Sequence, residues 1–300
     1  MEQTIGFLTV ATGDEHYYRI ADNLRKSYRR FSPAPRPFAI LCDRENDYTR
    51  NFDHVILLPN PTGSYLDKLQ LFDYLPYDIN IFIDADCLAY GDLNQLFSYF
   101  ETADDVSCMG RILPLDDTTG WFNYEDLGDL KPRVSYCVGL HGGIYHIRKT
   151  PKAKAVFDTA KQLAKDYHQY NFKGNFSSPG DEPIIALSMA LNGCRPVPHD
   201  IGKICCYWEL INAMDLSMNQ GLAWIRPQKK ETILVHWGTR FTRGLLYRKQ
   251  IAILDQLEND ASALQISLAN WKYNALIAAE RIHHLLLRIF RKLKRILHLS

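Results

Sequence analysis

The chain begins with the apolar run Ile5-Gly6-Phe7-Leu8-Thr9-Val10-Ala11, too short for a helix, which reads as a buried strand. A turn at Thr12-Gly13-Asp14 leads into a stretch from Glu15 to Phe31 where Ile20, Leu24, Tyr28 and Phe31 recur at helical spacing. Pro33, Pro35 and Pro37 end that helix, and Phe38 to Cys42 resumes strand character. Strand, helix and strand at this length predict a βαβ unit, and with it a parallel sheet and a right-handed crossover. A short strand from His54 to Leu58 follows, then a helix from Tyr65 to Leu75 that carries Lys68 one turn in. The apolar run Ile79-Asn80-Ile81-Phe82-Ile83 is the fourth strand.

That fourth run ends abruptly in Asp84-Ala85-Asp86. Strand alternation would send both carboxylates to one side, with Ala85 small enough to leave that side open. Two acids at the mouth of a buried strand repel each other and lose solvation, which is costly without a cation between them. A divalent metal carrying a phosphorylated ligand is the most economical explanation. The plainer reading is that the pair caps the helix start at Gly91-Asp92-Leu93-Asn94-Gln95-Leu96. In open parallel sheets ligands bind beyond the carboxyl ends of strands, and both Thr9 to Asp14 and Asp84 to Asp86 are such ends.

From Pro114 to Pro132 the pattern loses its period and becomes polar and aromatic, as in a binding loop or a surface excursion. Tyr136 to Ile147 reads as a strand interrupted by Gly139 and by His141-Gly142-Gly143; glycines there mark close approach of another group. A helix is predicted from Lys152 to Tyr167, followed by a loop from Asn171 to Gly180. Asp181-Glu182 opens the next helix, where acids ordinarily serve the helix dipole, and Asn192-Gly193 stops it. Ile233-Leu234-Val235-His236-Trp237-Gly238 repeats the opening theme, an apolar strand with a potential metal ligand at its end. A lone histidine there is more often a core residue.

The tail has its own pattern. After Glu280 there is no acid, while Arg281, Arg288, Arg291, Lys292, Lys294 and Arg295 are cations. Ile282, Leu285, Leu286, Ile289, Leu293, Ile296 and Leu297 share one face of a helix expected from about Ala275 to Leu299. A basic amphipathic helix of this kind predicts either an interfacial membrane helix or packing on the body or a partner.

Composition narrows the field. Three hundred residues with a formal charge of +1 give an ordinary globular balance and no footprint for nucleic acid. The N-terminus lacks the basic and apolar regions of a signal peptide, and no apolar run reaches membrane-spanning length. The seven cysteines sit mostly in apolar segments without a Cys-x-x-Cys pair, which predicts reduced thiols in a cytoplasmic protein, peripheral on a membrane through its tail.

Together these parts resemble the GT-A glycosyltransferases, specifically family 8, which includes bacterial lipopolysaccharide galactosyl- and glucosyltransferases and the glycogenins. The likeness spans about residues 5 to 245. It implies an α/β fold with a mostly parallel central sheet flanked by helices. The catalytic domain would occupy 1–245, and a helical region with the basic amphipathic tail 246–300. Phe82-Ile83-Asp84-Ala85-Asp86, followed by Gly91-Asp92-Leu93, looks like the family's metal motif, so Asp84 and Asp86 would bind Mn²⁺ (or Mg²⁺) held by the diphosphate of a nucleotide-sugar. His236 in Val-His-Trp-Gly is similar to the late histidine that completes the metal site. Lys68 falls where the family carries a basic residue contacting the donor. His141-Gly142-Gly143 resembles the stretch lining the donor sugar, and Asp181-Glu182 resembles an Asp-Gln pair. Its Asp binds sugar hydroxyls, and its Gln lies under the anomeric carbon. Ala11, Thr12 and Tyr17 would contact base and ribose.

The sequence also departs from the family pattern. His141 stands where Asn is commoner, and Glu182 where Gln is. The family's Lys-Pro-Trp ending after the late histidine is absent, which leaves Arg240 and Arg243 to hold the phosphates, with Gly238 before them as a further substrate-binding residue. A carboxylate at Glu182 would stabilise or attack an oxocarbenium ion, which an amide does poorly. The implied activity is transfer of a hexose, from UDP-glucose or UDP-galactose, to a saccharide or glycolipid acceptor with retention. Three other readings compete. An Asp-x-Asp phosphatase would place its acids on the first strand of its fold, and here they lie on the fourth. A sugar-1-phosphate nucleotidylyltransferase would need a glycine-rich basic loop after the first strand, and Val-Ala-Thr-Gly-Asp-Glu is not one. An inactive nucleotide-sugar binding protein would not need the complete set Asp84, Asp86 and His236.

Overall fold

The computed structural model describes residues 3–173, 179–211 and 213–296, with the backbone alone for Arg291 and residues 293–296. Strand β1 (Ile5–Ala11) feeds helix α1 (Glu15–Phe31), capped by the Asp14 carboxylate on the His16 amide, and the chain returns through β2 (Phe38–Cys42) and β3 (His54–Leu57). The predicted helix at Tyr65–Tyr74 is a 3₁₀ segment, with Ser64 as its cap. Strand β4 (Ile79–Ile83) follows, then β5 (Cys87–Ala89) and the short helix α2 (Gln95–Tyr99).

Strands β6 (Val106–Leu113) and β7 (Cys137–Arg148) form a long hairpin-like pair across the irregular segment between them. Helix α3 (Pro151–Lys165) and helix α4 (Asp181–Leu191) come next, then strands β8 (Val197–Pro198) and β9 (Ile204–Cys206). After helix α5 (Tyr207–Leu210) come β10 (Met214–Ser217), β11 (Leu222–Ile225), β12 (Lys230–Glu231) and β13 (Leu234–His236). Helices α6 (Leu245–Glu258) and α7 (Ala263–Ile296) close the described chain.

The central sheet runs β3-β2-β1-β4-β7-β6-β8. Pairs β1–β2, β2–β3, β1–β4 and β6–β8 are parallel, whereas β7 runs antiparallel to both β4 and β6. Alternate residues feed two cores, as a sheet covered on both faces requires. Phe7, Ile40 and Ile81 pack with Tyr18, Leu24 and Tyr28 of α1 on one face. Leu8, Leu41 and Phe82 pack with Val156, Phe157, Ile184 and Leu187 of α3 and α4 on the other. Helix α6 adds Ile253 and Leu254 to the first core.

A second, three-stranded sheet of order β5-β13-β9 lies at the carboxyl end of β4. Its register pairs His236 with Cys87 on one side and with Cys206 on the other. This small sheet brings the late strand to the acidic turn.

Helix α7 begins at Ala263, well before the periodicity of the tail would place it. Ser262 and Gln265 explain the early start: Gln265 Oε1 accepts from the Ser262 amide at 2.8 Å and Ser262 Oγ accepts from the Gln265 amide at 3.4 Å, a capping box. Ile266 is buried, but Leu268, Trp271, Ile282, Leu285, Leu286, Ile289 and Phe290 are exposed. The side chains of Arg291, Leu293, Lys294, Arg295 and Ile296, residues 297–300, and residues 174–178 of the loop before α4 lie outside the described residues.

Candidate functional site

Asp84 and Asp86 lie just past the end of β4, in a turn closed by a hydrogen bond from the Cys87 amide to the Asp84 carbonyl. This turn, rather than strand alternation, aims both carboxylates at one imidazole. His236 Nε2 lies 3.0 Å from Asp86 Oδ1 and 3.6 Å from Asp84 Oδ2. The main chain holds the turn from both sides: the Asp84 amide donates to the Gly143 carbonyl, and the Trp237 amide donates to the Asp86 carbonyl. Thr239 Oγ1 donates to Asp86 Oδ2 at 3.1 Å.

Lys68 occupies the other flank. Its Nζ is 2.7 Å from Asp84 Oδ1 and 3.1 Å from Asp181 Oδ2, and Tyr145 also donates to Asp181 Oδ2 at 3.3 Å. Asp181 therefore does more than serve the dipole of α4; it shares a largely covered cation with the acidic turn. Glu182, next along, accepts the Gly142 amide at 2.9 Å. The glycines of β7 are explained by these approaches. A Cβ on Gly142 would collide with the Glu182 side chain, and one on Gly143 would sit 2.6 Å from His236 Nδ1.

The electrostatics follow from burial. Desolvation pushes the Asp84 carboxyl up to about 6, against the opposing pull of Lys68 and His236. Desolvation is the largest single effect on Asp86 too, but His236, Lys68 and the Thr239 hydroxyl together outweigh it and leave the carboxyl below the ordinary value. Burial opposes protonation of His236, but Asp86 and then Asp84 overcome it and raise the imidazole above its ordinary value. Burial, reinforced by Asp181, pushes Glu182 up to about 7. Desolvation and the neighbouring His236 drive His141 well below its usual value.

The donor set fits a divalent cation. Buried carboxylates with mutual repulsion converge on His236, whose Nδ1 is buried without a hydrogen-bond partner among the described residues. Two tighter groups surround the same ring, Asp86–Cys87–His236 and His141–Cys206–His236, each with ligand atoms within 4.8 Å of one another. Desolvation raises the Cys87 and Cys206 thiols well above their ordinary values, and their sulfurs are softer donors than the carboxylates and imidazole beside them. The remaining carboxylate–imidazole set suits Mn²⁺ or Mg²⁺ better than a soft metal.

Two cavities meet at this wall. One, about 310 Å³, is lined by Ala11, Thr12, Tyr17, Lys68, Asp84, Asp86 and Thr239. The other, about 910 Å³, takes in His141, Gly142, Glu182 and His236, with Trp121, His199, Trp208 and Glu209 around it. Of the sequence-derived residues, Ala11, Thr12, Tyr17, Lys68, Asp84 and Asp86 line the smaller cavity and His141, Gly142, Glu182 and His236 the larger, while Gly143 and Asp181 line neither. Gly238 has φ +71°, and its main chain passes against the Trp208 ring. Arg240 and Arg243 are exposed and line neither cavity, although Arg240 follows directly on Thr239.

Sequence reasoning missed Thr239, Tyr145, Trp208 and Asp67. Asp67 accepts from Thr12 Oγ1 at 2.7 Å and from the Gly63 amide at 3.0 Å, which fixes the wall of the smaller cavity. Only Thr239 had a local signal, since it sits three residues beyond His236.

No protein-family model and no curated protein sequence matches the chain. Among solved structures it is similar to galactosyltransferase LgtC in complex with donor and acceptor sugar analogues, with TM-score 0.52 and 13% identity, covering 86% of this chain and 96% of that one. An active-site mutant of LgtC aligns with TM-score 0.51 and 12% identity over 86% of this chain and 96% of its own. The apo form of mouse xyloside xylosyltransferase 1 aligns with TM-score 0.46 and 12% identity over 79% and 99%. The likeness to LgtC and the sheet order bear out the architecture expected from the sequence: this chain has the GT-A fold.

Proposed function

We propose that the chain is a metal-dependent glycosyltransferase that moves a hexose from UDP-glucose or UDP-galactose to a saccharide or glycolipid acceptor, with retention at the anomeric carbon. The observation that carries this reading is the wall between the cavities, where Asp84, Asp86 and His236 converge beside the largely covered Lys68. LgtC, a galactosyltransferase solved with donor and acceptor sugar analogues, shares this fold, which supports a sugar-transfer reading.

Asp84, Asp86 and His236 would hold Mn²⁺ or Mg²⁺, and a cation there neutralises charge on a departing diphosphate. Ala11, Thr12 and Tyr17 take the base and ribose in the smaller cavity. Lys68, with Arg240 and Arg243 from the segment after Gly238, supplies positive charge toward the phosphates. His141, Gly142, Gly143 and Asp181 line the hexose. Glu182 lies at the junction of the β7 glycines with the larger cavity, which is wide enough for an acceptor. Its carboxylate stabilises positive charge developing at the anomeric carbon, or bonds to it.

The exposed apolar side chains and cations of α7 support a peripheral place on an anionic membrane, next to a lipid-linked acceptor. Among the described residues no helix is long and apolar enough to cross a membrane.

The direct test is thermal-shift screening against nucleotide-sugars with and without Mn²⁺, followed by turnover. UDP-hexoses should raise the melting temperature only with metal, and Asp86→Ala should lose both that shift and transfer while keeping its fold. Turnover at the wild-type rate by Asp86→Ala in metal-free buffer would end the metal assignment.

A further inference from the structure

Away from the ligand set itself, a chain of hydrogen bonds runs from Asp86 to the first turn of α1. Thr239 Oγ1 donates to Asp86 Oδ2 at 3.1 Å. Thr242 Oγ1 donates to the Thr239 carbonyl at 2.7 Å and also meets His16 Nε2 at 2.7 Å. Arg19 Nη2 lies 3.1 Å from His16 Nδ1. His16 and Thr242 are 226 residues apart in sequence, yet both are buried, at 7% and 4% exposure.

The protons along this chain can be assigned from donor chemistry alone. A guanidinium only donates, so His16 Nδ1 must accept from Arg19. The neutral ring then carries its hydrogen on Nε2 and donates to Thr242 Oγ1. That leaves the Thr242 hydrogen free for the Thr239 carbonyl, where the geometry places it. Every donor has an acceptor, and only the Nε2–H tautomer satisfies the set. Burial, together with Arg19 and Arg243, lowers the His16 basicity, against weaker opposing effects of Asp14 and Asp86, and so keeps the ring in that neutral form.

Position gives the chain its meaning. The segment from Gly238 to Gly244 carries Thr239, Arg240 and Arg243, and it starts at a left-handed glycine that imposes little conformational restraint of its own. Tyr17, adjacent to His16, and Thr239 both line the smaller cavity. We propose that His16 is a positioning residue, which locks the 238–244 segment to α1 through Thr242 and thereby holds Thr239 on Asp86 and the two arginines beside the donor diphosphate. This inference rests on the metal and nucleotide-sugar reading above.

The test compares His16→Phe, which keeps volume but loses both bonds, with His16→Gln, whose amide reaches the Nε2 position, and with Thr242→Val. Mn²⁺ affinity in the presence of UDP is read by electron paramagnetic resonance, with donor KM, kcat and melting temperature alongside. His16→Phe and Thr242→Val should each weaken Mn²⁺–UDP binding and raise donor KM roughly tenfold, as expected for loss of one buried hydrogen bond. The double variant should be no worse than either single one, because both break the same link. His16→Gln should return to within about threefold of wild type. If His16→Phe binds Mn²⁺–UDP like wild type, or if His16→Gln is as impaired as His16→Phe, the positioning role is wrong while the metal reading stands. If the wild-type protein shows no metal-dependent UDP binding, both fall together. Should His16→Phe fail to fold, Thr242→Val alone decides, since it leaves α1 intact.

Discussion

Glu182→Gln offers the sharpest test of the site, because stability and chemistry should move in opposite directions. The substitution keeps shape and the bond from the Gly142 amide while removing the ionisable group. In the folded protein the carboxyl is raised from 4.5 to about 7, chiefly by burial and then by Asp181. An acid whose folded value lies above its unfolded one binds more protons when folded, so stability falls as pH rises through that interval. The penalty is absent below about pH 4.5 and complete above about pH 7, where a shift of this size amounts to about 3 kcal/mol as an upper bound. Urea unfolding of metal-free protein should therefore show Glu182→Gln more stable than wild type at pH 8, with the two converging toward pH 4.5. The same variant should lose kcat by orders of magnitude with little change in donor KM, since the carboxylate acts on charge present only in the transition state. A gain in stability coupled to a loss of turnover is the pattern of a residue kept for function at a cost to the fold. Equal stabilities at pH 8 would refute the burial argument, and an unchanged kcat would reduce Glu182 to a helix-terminal acid.

Two further perturbations probe the surroundings. Lys68→Met removes the cation shared by Asp84 and Asp181, which should cost about 3–5 kcal/mol in urea unfolding, as for other broken buried pairs. Added Mn²⁺ should recover more stability in that variant than in wild type, and a wild-type unfolding midpoint without metal would show that Lys68 is not structurally required. Deleting residues 278–300 removes six Lys or Arg, each contributing about 1 kcal/mol at most near an anionic surface. The truncated protein should keep its melting temperature and its transfer to soluble acceptors but leave anionic liposomes, and high salt should release the full-length protein too. Indifference of the full-length protein to such liposomes, or unfolding of the truncated one, would mean that the tail is a packing helix.

What the sequence determined by itself was whatever depends on neighbours along the chain. Strands β1, β2 and β4 and helices α1, α3 and α4 were legible because period and caps are local: Asp14 caps α1, prolines follow its end, and Asn192 with Gly193 ends α4. The paired acids at the end of β4 were legible too, because no apolar core accepts two bare carboxylates without compensation. Their partners were legible only through the family resemblance, not from local pattern. By itself His236 read more readily as a core histidine; it became part of the site because the register of β13 on β5 sets it beside Cys87, one residue from Asp86. Lys68 and Asp181 meet only because the 3₁₀ segment and the start of α4 both abut the turn. The reversal of β7, the link from Thr239 to Asp86 and the bond from His16 to Thr242 likewise join residues far apart in sequence. Such pairings are chosen by the packing of whole elements, and a buried polar group takes whichever complementary partner that packing delivers. Local periodicity carries no record of that choice: the family resemblance named the polar residues, and tertiary structure alone decided which of them touch.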